Sequence, residues 1–318
     1  MLKLARYVTN QEFYMTIFRP FFSVIVPTYE RAQQLSACLR ALSGQTYPHD
    51  CFEVIVVNDG GTTLPKRVIE GFVKVFKVKL VTQTHSGPAA ARNYGVKHAT
   101  GDFLAFTDDD CAPAPNWLQA LAGRFAALPD CAVGGRTING VPDNPYSTVS
   151  QLLVDYLYAH CNSDPERATF FTSNNLALPA KAFHAIGGFD AVWKRAAGED
   201  RELCDRWLAN GHQMIYAPEA VVEHLHSLTW RTFARQHFNY GRGAFYFHKT
   251  CAGRRQIPVK VERISFYMRT LRYPFSRARP AKAVIFASLM MGAQAANAAG
   301  YFWERRSHRK QIAPCRPR

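Results

Sequence analysis

The hydrophobic and polar positions change period again and again over the first 110 residues. SVIVPTY (23–29) is an apolar run without alternation, as expected of a strand covered on both faces. Across 31–42, Leu35, Cys38, Leu39 and Leu42 recur at three- and four-residue intervals, which predicts a helix with one apolar face. FEVIVVND (52–59), rich in β-branched residues, predicts a second strand, 68–76 a second helix and VKLVTQ (78–83) a third strand. GPAAARNYGVKHA (87–99) places Pro88 at a helix start with alanines behind it. GDFLAFTDDD, from 101, is a fourth strand running into an acidic loop. Strands alternating with helices predict βαβ units and a mostly parallel central sheet flanked by helices.

In such sheets ligands bind beyond the carboxyl ends of the strands. Three of the predicted strands end in Pro27-Thr28-Tyr29-Glu30, Asn58-Asp59-Gly60-Gly61 and Asp108-Asp109-Asp110, so an aromatic ring, a lone carboxylate and a carboxylate triplet should converge on one edge. Acidic runs are ordinarily solvated loops. The alternative for the triplet is a cation that offsets its self-repulsion, and oxygen-rich clusters suit Mg²⁺ or Mn²⁺ in contact with substrate phosphates. The chain has neither a G-x-G-x-x-G nor a Walker A motif, so phosphates would be held by metal and side chains.

The second half carries TSNNLALP, IGGFD and AGEDRELCDRW. Glu199 and Asp200 open a helical pattern that includes Leu203 and Trp207. Acids favour helix N-termini for electrostatic reasons, so the pair reads either as dipole chemistry or as a functional site. MIYAPEAVVEHLH (214–226) predicts strand, turn, strand, with His224 and His226 on one side, as structural residues or as ligands.

Composition narrows the class. The 318 residues are 47% hydrophobic and 20% charged, the balance of a globular chain with a sizeable core. Eight dispersed cysteines without a CxxC pair predict reduced thiols in a cytosolic setting. The first 22 residues lack the long apolar core of a secretory signal. The net charge of +15 is concentrated: residues 251–318 hold 15 Lys and Arg against Glu262 and Glu304, a net of +13, leaving +2 for the rest. Anionic partners are expected for such a tail. Within it, residues 283–303 carry no charge over 21 positions, long enough to span a bilayer but rich in Ala and Gly. A span, an interfacial helix and a helix packed on the catalytic domain all remain open.

Taken in order, SVIVPTYER, VIVVNDGG, GPAAARNYG, GDFLAFTDDDC, TSNNLAL, GGFD and GEDRELCDRW resemble the family 2 glycosyltransferases of the GT-A fold, over roughly residues 21–245. The resemblance implies that Pro27, Thr28, Tyr29 and Glu30 line the donor's nucleobase pocket, that Asp59 bonds the base, and that Arg92 faces the nucleotide or diphosphate. Asp108 and Asp110 take the places of the DxD motif, with Asp109 between them on the donor side. Asp108, Asp110 and His224 are then the metal ligands, Asp200 the catalytic base and Glu199 its neighbour at the acceptor. Asn58 and Glu30 depart from the family's commoner residues, and the processive signature QxxRW is missing, which points away from a polymerising synthase.

The chemistry implied is transfer from a nucleotide-diphospho-sugar, a UDP-sugar first among them, to a carbohydrate or lipid-linked acceptor. A divalent ion would neutralise the leaving diphosphate, and one base opposite it implies inversion. The expected organisation is an N-terminal extension (1–20), a nucleotide half (21–115), an acceptor half (116–250) and a basic helical C-terminal region (251–318). The expected location is cytoplasmic, at the inner face of the cell membrane. Rival readings are a catalytically silent nucleotide-sugar scaffold and, less favoured, a nucleic-acid binder. The tail lacks the aromatic interleaving of RNA-binding segments, so no nucleic acid is expected.

Overall fold

In the computed structural model, the described residues are 19–192, 197–255 and 262–312; nearly all of the proposed N-terminal extension, the segment judged for a secretory signal and Cys315 lie outside them. Eight strands form one sheet. They are β1 (Phe22–Thr28), β2 (Phe52–Asp59), β3 (Lys77–Gln83), β4 (Phe103–Phe106), β5 (Cys111–Pro113), β6 (Ala132–Asn139), β7 (Leu176–Pro179) and β8 (Met214–His224). Their order is β3-β2-β1-β4-β7-β6-β8-β5. The β3-β2-β1-β4 half is wholly parallel, and so is β6-β8; β7 and β5 pair antiparallel.

Helices cover both faces. They are α1 (Ala32–Ser43), α2 (Lys66–Glu70), α3 (Pro88–Val96), α4 (Trp117–Ala127), α5 (Pro145–Cys161), α6 (Ala180–Ala185), α7 (Glu199–Ala209), α8 (Trp230–Arg255), α9 (Ile264–Arg272) and α10 (Pro280–Ile312). Every residue of β2 is buried, and successive β1 residues serve opposite layers. Val24 and Val26 pack with Leu35, Leu39, Trp117 and Phe125 beneath α1 and α4. Ile25 packs with Ile55, Val57, Phe183, Leu203 and Trp207 on the other face. This explains the unalternating apolar runs.

Two expectations are corrected. The helix expected over 68–76 is Lys66–Glu70 followed by turns, because Pro65 sets its start and Gly71 stands at its C-cap. The strand, turn, strand expected over 214–226 is a single strand: pairing moves from Gly135–Ala217 to Arg136–Val221, and Pro218–Ala220 bulge without breaking it.

The uncharged tail segment lies within α10, which packs along α8. Ala283, Met290 and Ala293 are buried. A Cβ on Gly241 would lie 1.8 Å from the Asn297 carbonyl oxygen, and one on Gly300 would lie 1.9 Å from that of Phe238, so two glycines permit the close crossing. Buried Glu304 accepts from Arg242 Nε (2.5 Å) and Tyr246 Oη (3.1 Å). One face of α10 is therefore packed, while Val284, Ile285, Met291 and Phe302 on its other side are exposed. By length and composition Pro280–Arg309 could cross a membrane, with a mean hydropathy of 1.3.

The amino ends of the strands are tied by one carboxylate. Glu53 accepts from Ser23 Oγ (2.9 Å), Thr100 N (2.7 Å) and Thr100 Oγ1 (2.6 Å), and pairs with Lys77 and Lys79 at 3.2 and 3.1 Å. Burial alone would raise this carboxyl, but the Thr100, Lys79 and Ser23 contacts outweigh it and hold it at about 2. Because its folded value is depressed, its contribution to stability is present above its ordinary value of 4.5 and lost as pH falls towards 2. Glu53→Gln is expected to lower stability by about 3 kcal/mol at pH 7, and by progressively less below pH 4.5. Urea melts of both proteins across that window check the sign.

Candidate active site

The carboxyl ends of β1, β2 and β4 lie side by side, as expected of the parallel pairs. Asp59, the last residue of β2, is buried. Its oxygens accept from Gln83 Nε2 (2.6 Å), Ser86 N (2.9 Å) and Gly87 N (2.9 Å), and His85 Nδ1 lies 3.0 Å away. It thus fixes the loop that enters α3. That loop presents His85, whose ring lies 4.4 Å from the half-exposed Tyr29 ring. Pro27 and Thr28 complete the end of β1. Gly60 has φ of +81°, and a Cβ there would meet the His85 backbone nitrogen at 2.4 Å, so glycine is required for this approach. Glu30, expected on the donor side, spends its carboxylate on the 60–62 turn: Oε1 accepts from Thr62 N (2.5 Å) and Oγ1 (2.7 Å). Those two bonds lower its pKa, and its φ of +55° is unusual for a non-glycine residue.

The acidic triplet is divided three ways. Asp109 is buried, accepting from Thr28 Oγ1 at 2.7 Å and Arg31 Nη1 at 3.1 Å. Burial and the neighbouring Asp110 push it to about 6 against the pull of Arg31. Asp110 accepts from the same Arg31 nitrogen at 3.0 Å and lies 3.3 Å from His224 Nε2. Burial would raise it, but His224 and Arg31 hold it at about 2. Asp108 points the other way and accepts from Arg92 Nη2 at 2.6 Å.

β5 and β8 bring the histidine in, since Cys111 pairs with His224 across the ladder. The ligand atoms of Asp110, Cys111 and His224 lie within 4.8 Å of one another. The Asp110 carboxylate suits Mg²⁺ or Mn²⁺, and the His224 imidazole is better matched to Mn²⁺ than to the harder Mg²⁺, whereas the Cys111 thiol is a soft ligand held protonated by burial, so Asp110 and His224 fit a divalent ion and Cys111 does not. The His226 ring stacks on His224 at 3.8 Å, and both its ring nitrogens are buried without a hydrogen-bond partner. Burial and the adjacent His224 push His226 down to about 3, so it is neutral there.

Arg92 joins the two halves. Buried to 3% exposure, it donates to Asp108 on one side and, at 3.3 Å, to Glu199 Oε1 on the other. It also sits 5.5 Å over the Phe189 ring. Glu199 Oε2 accepts from Ala197 N at 2.9 Å. The turn before α7 leans on α8: Gly198 has φ of +87°, and a Cβ on Gly243 would meet the Ala197 carbonyl oxygen at 2.4 Å. Asp200 follows, its Oδ1 accepting from Arg201 N at 2.7 Å. Burial first, then the charge of Glu199, raises it to about 7 against the pull of Arg92 and Arg201. The GGFD turn docks on α3, where the Asn93 side chain donates to Phe189 O and accepts from Phe189 N at 2.8 and 2.9 Å. Asn175 of TSNN is structural: it accepts from Trp117 Nε1 and donates to the Arg136 and Ala220 carbonyls.

With this geometry in place, comparison with known proteins decides the family. The model of Glycosyl transferase family 2 matches residues 23–199, more than half of the chain. The chain belongs to glycosyl transferase family 2. It is 30% identical over 229 residues to validoxylamine A glucosyltransferase of Streptomyces hygroscopicus, covering 63% of this chain and 54% of that protein. It is 36% identical over 208 residues to the glycosyltransferase AglE of Haloferax volcanii, covering 58% and 63%. The pre-mycofactocin glycosyltransferase of Mycobacterium tuberculosis is 30% identical over 228 residues, covering 70% and 46%. The chain therefore spans about half to three fifths of the length of these relatives. Among solved structures, mannosyltransferase PcManGT of Pyrobaculum calidifontis superposes with a TM-score of 0.64 at 18% identity, covering 95% of both chains. The GT-A fold and its C-terminal helices extend across that match.

Sequence reasoning missed two residues of this site. Arg31 follows the β1 end and was available from that position. His85 had no local signal, because Asp59 recruits it from 26 residues away. His226 is offered by the sequence together with His224 as a structural residue or a ligand. Removing the buried cation should expose how much depends on it. Arg92→Met is expected to cost about 3–5 kcal/mol by leaving Asp108 and Glu199 facing each other unpaired. Adding Glu199→Gln should recover part of that loss, which a double-mutant cycle of denaturant melts measures.

Proposed function

We propose that the protein is an inverting glycosyltransferase that moves a sugar from a nucleotide-diphospho-sugar, with UDP-sugars as the first candidates, to a hydroxyl of a carbohydrate or lipid-linked acceptor. In this reading it works in the cytoplasm at the inner face of the cell membrane, and nucleic acid is not a partner. The observation that carries it is the placement of Asp110 with His224 on one side of the Arg92 bridge and Asp200 on the other. The relatives are named glucosyltransferase and glycosyltransferases, and the mannosyltransferase structure holds GDP-Man and Mn²⁺, which supports a nucleotide-sugar donor and a divalent ion.

Tyr29, with His85 behind it, offers a stacking face to a nucleobase, between Pro27 and Thr28 and the loop held by Asp59. Asp108, which the resemblance put among the ligands, accepts from Arg92 here, so Asp110 and His224 would hold the divalent ion, which when bound supplies Lewis-acid neutralisation of the diphosphate. Asp109 is committed to Thr28 and Arg31 and keeps the triplet's loop in place. Glu199 is occupied by Arg92 and the Ala197 amide. Asp200 is thus the carboxylate left to take the acceptor's proton, and a raised pKa makes it a stronger base once ionised.

Two measurements test this reading. Asp200→Asn should lower kcat at least about 10²-fold while UDP binding persists, and kcat/KM of the unmodified enzyme should rise with pH through about 7, since Asp200 must be ionised to accept a proton. Near-normal turnover of Asp200→Asn would place the base elsewhere. Excess EDTA should abolish transfer and Mn²⁺ or Mg²⁺ restore it. Asp110→Ala should weaken metal-dependent UDP binding, read by calorimetry, more than Asp109→Ala does. Full transfer in EDTA would remove the ion from the mechanism.

A further inference from the structure

Helix α9 carries apolar side chains on two sides, one packed on the body of the protein and one exposed. Its inner side is Phe266 and Thr270, continued by Tyr273 of the 3₁₀ turn Tyr273–Ser276. The Phe266 ring packs on Tyr156 and His160 at 5.1 and 5.0 Å, Tyr273 packs on Tyr156 at 5.5 Å, and the Tyr156 hydroxyl donates to the Phe266 carbonyl at 3.1 Å. The opposite side is also apolar. Ile264, Tyr267, Met268 and Phe275 follow helical spacing and are exposed, Ile264 to 81% and Met268 to 55%. The first turns of α10, which pack on the 3₁₀ turn, add Val284 and Ile285, both 55% exposed. An exposed stripe of large aliphatic and aromatic groups at this spacing costs solvation free energy unless something covers it.

The charge around the stripe says what covers it. From 262 to 282 the chain has six basic residues, Arg263, Arg269, Arg272, Arg277, Arg279 and Lys282, all exposed, against Glu262. A second copy of this chain would bring like charge against like charge. An anionic surface with an apolar interior satisfies both the stripe and its rim. A spanning α10 fits less well, because its packed face is bonded to α8 through Arg242 and Glu304, and α8 also carries Arg231, Arg235, Lys249 and Arg254. A span would carry that charged helix into hydrocarbon.

We propose that α9, the 3₁₀ turn behind it and the first turns of α10 form an in-plane docking face for an anionic lipid bilayer, inserted by Ile264, Met268 and Phe275 and held by the surrounding arginines. This rests on the reading of the chain as a membrane-proximal transferase, and it replaces a transmembrane anchor with an interfacial one. The inserting side chains Ile264, Met268 and Phe275 lie outside the stretch 283–303 that the sequence singled out, which adds only Val284 and Ile285 at its start.

The test is flotation of the full chain with phosphatidylcholine vesicles, with and without phosphatidylglycerol, alongside a thermal-shift assay with nucleotide sugars and Mn²⁺. The unmodified chain should float with the anionic vesicles at low salt and be released by alkaline carbonate. Ile264→Asp with Met268→Asp, both at exposed positions, should lower partitioning at least about tenfold. Arg269→Gln with Arg272→Gln should lower it about 30-fold at low salt. Both variants should keep the nucleotide-dependent thermal shift. Failure of the unmodified chain to float on anionic vesicles, undiminished flotation of either double variant, or retention through carbonate would each overturn the docking face. A chain that floats as expected but shows no shift with any nucleotide sugar would instead overturn the transferase reading and leave the docking face standing.

Discussion

One buried guanidinium holds the site together. Arg92 lies between Asp108, on the loop after β4, and Glu199, in the first turn of α7, residues 91 positions apart in sequence. A cation taken out of water is costly unless opposite charges meet it, so Arg92 demands both carboxylates and thereby fixes the distance between the strand-end loop and α7. The remaining placements follow. With Asp108 turned towards Arg92, Asp110 is left to His224; with Glu199 occupied, Asp200 is the carboxylate of that pair that Arg92 does not bond.

The two ends of the parallel strands put their charges to opposite uses. At the amino end, Glu53 is surrounded by donors and cations, so its charge is spent on holding β1, β3 and the approach to β4. At the carboxyl end, carboxylates outnumber the cations that meet them: Arg31 is shared by Asp109 and Asp110, and Arg92 by Asp108 and Glu199. In the proposed reading, that imbalance is what a divalent ion would offset. The stability of the sheet, supplied by two apolar layers and the Glu53 latch, holds the uncompensated charge in place.

What could be read from the sequence followed the range of the forces involved. β1 and β2 were legible almost to the residue, because a strand buried on both faces leaves an apolar run that local reading detects. The convergence of Thr28, Asp59 and Asp108 was legible too, since parallel pairing follows from the alternation of elements. The helix near 68–76 was misplaced because Pro65 and Gly71 outweighed its apolar spacing, and the bulge at Pro218–Ala220 imitated a turn. Contacts over long sequence separation left no local trace: Asp59 with His85, Arg92 with Glu199, and Arg31 across the acidic triplet. The outward stripe of α9 escaped for another reason. Amphipathic spacing reveals that a helix has apolar positions, and only the fold reveals which of them face away from the body.

The account's central claim is that a single base, Asp200, stands opposite a leaving group held at Asp110 and His224, so the sugar must be displaced in line. The anomeric configuration of the product tests this most directly. With an α-linked UDP-sugar and methanol as a surrogate acceptor, the proton coupling at the anomeric carbon of the methyl glycoside distinguishes the two outcomes by NMR. The account predicts the β-glycoside. An α-glycoside would contradict it, because a single in-line displacement inverts the anomeric carbon.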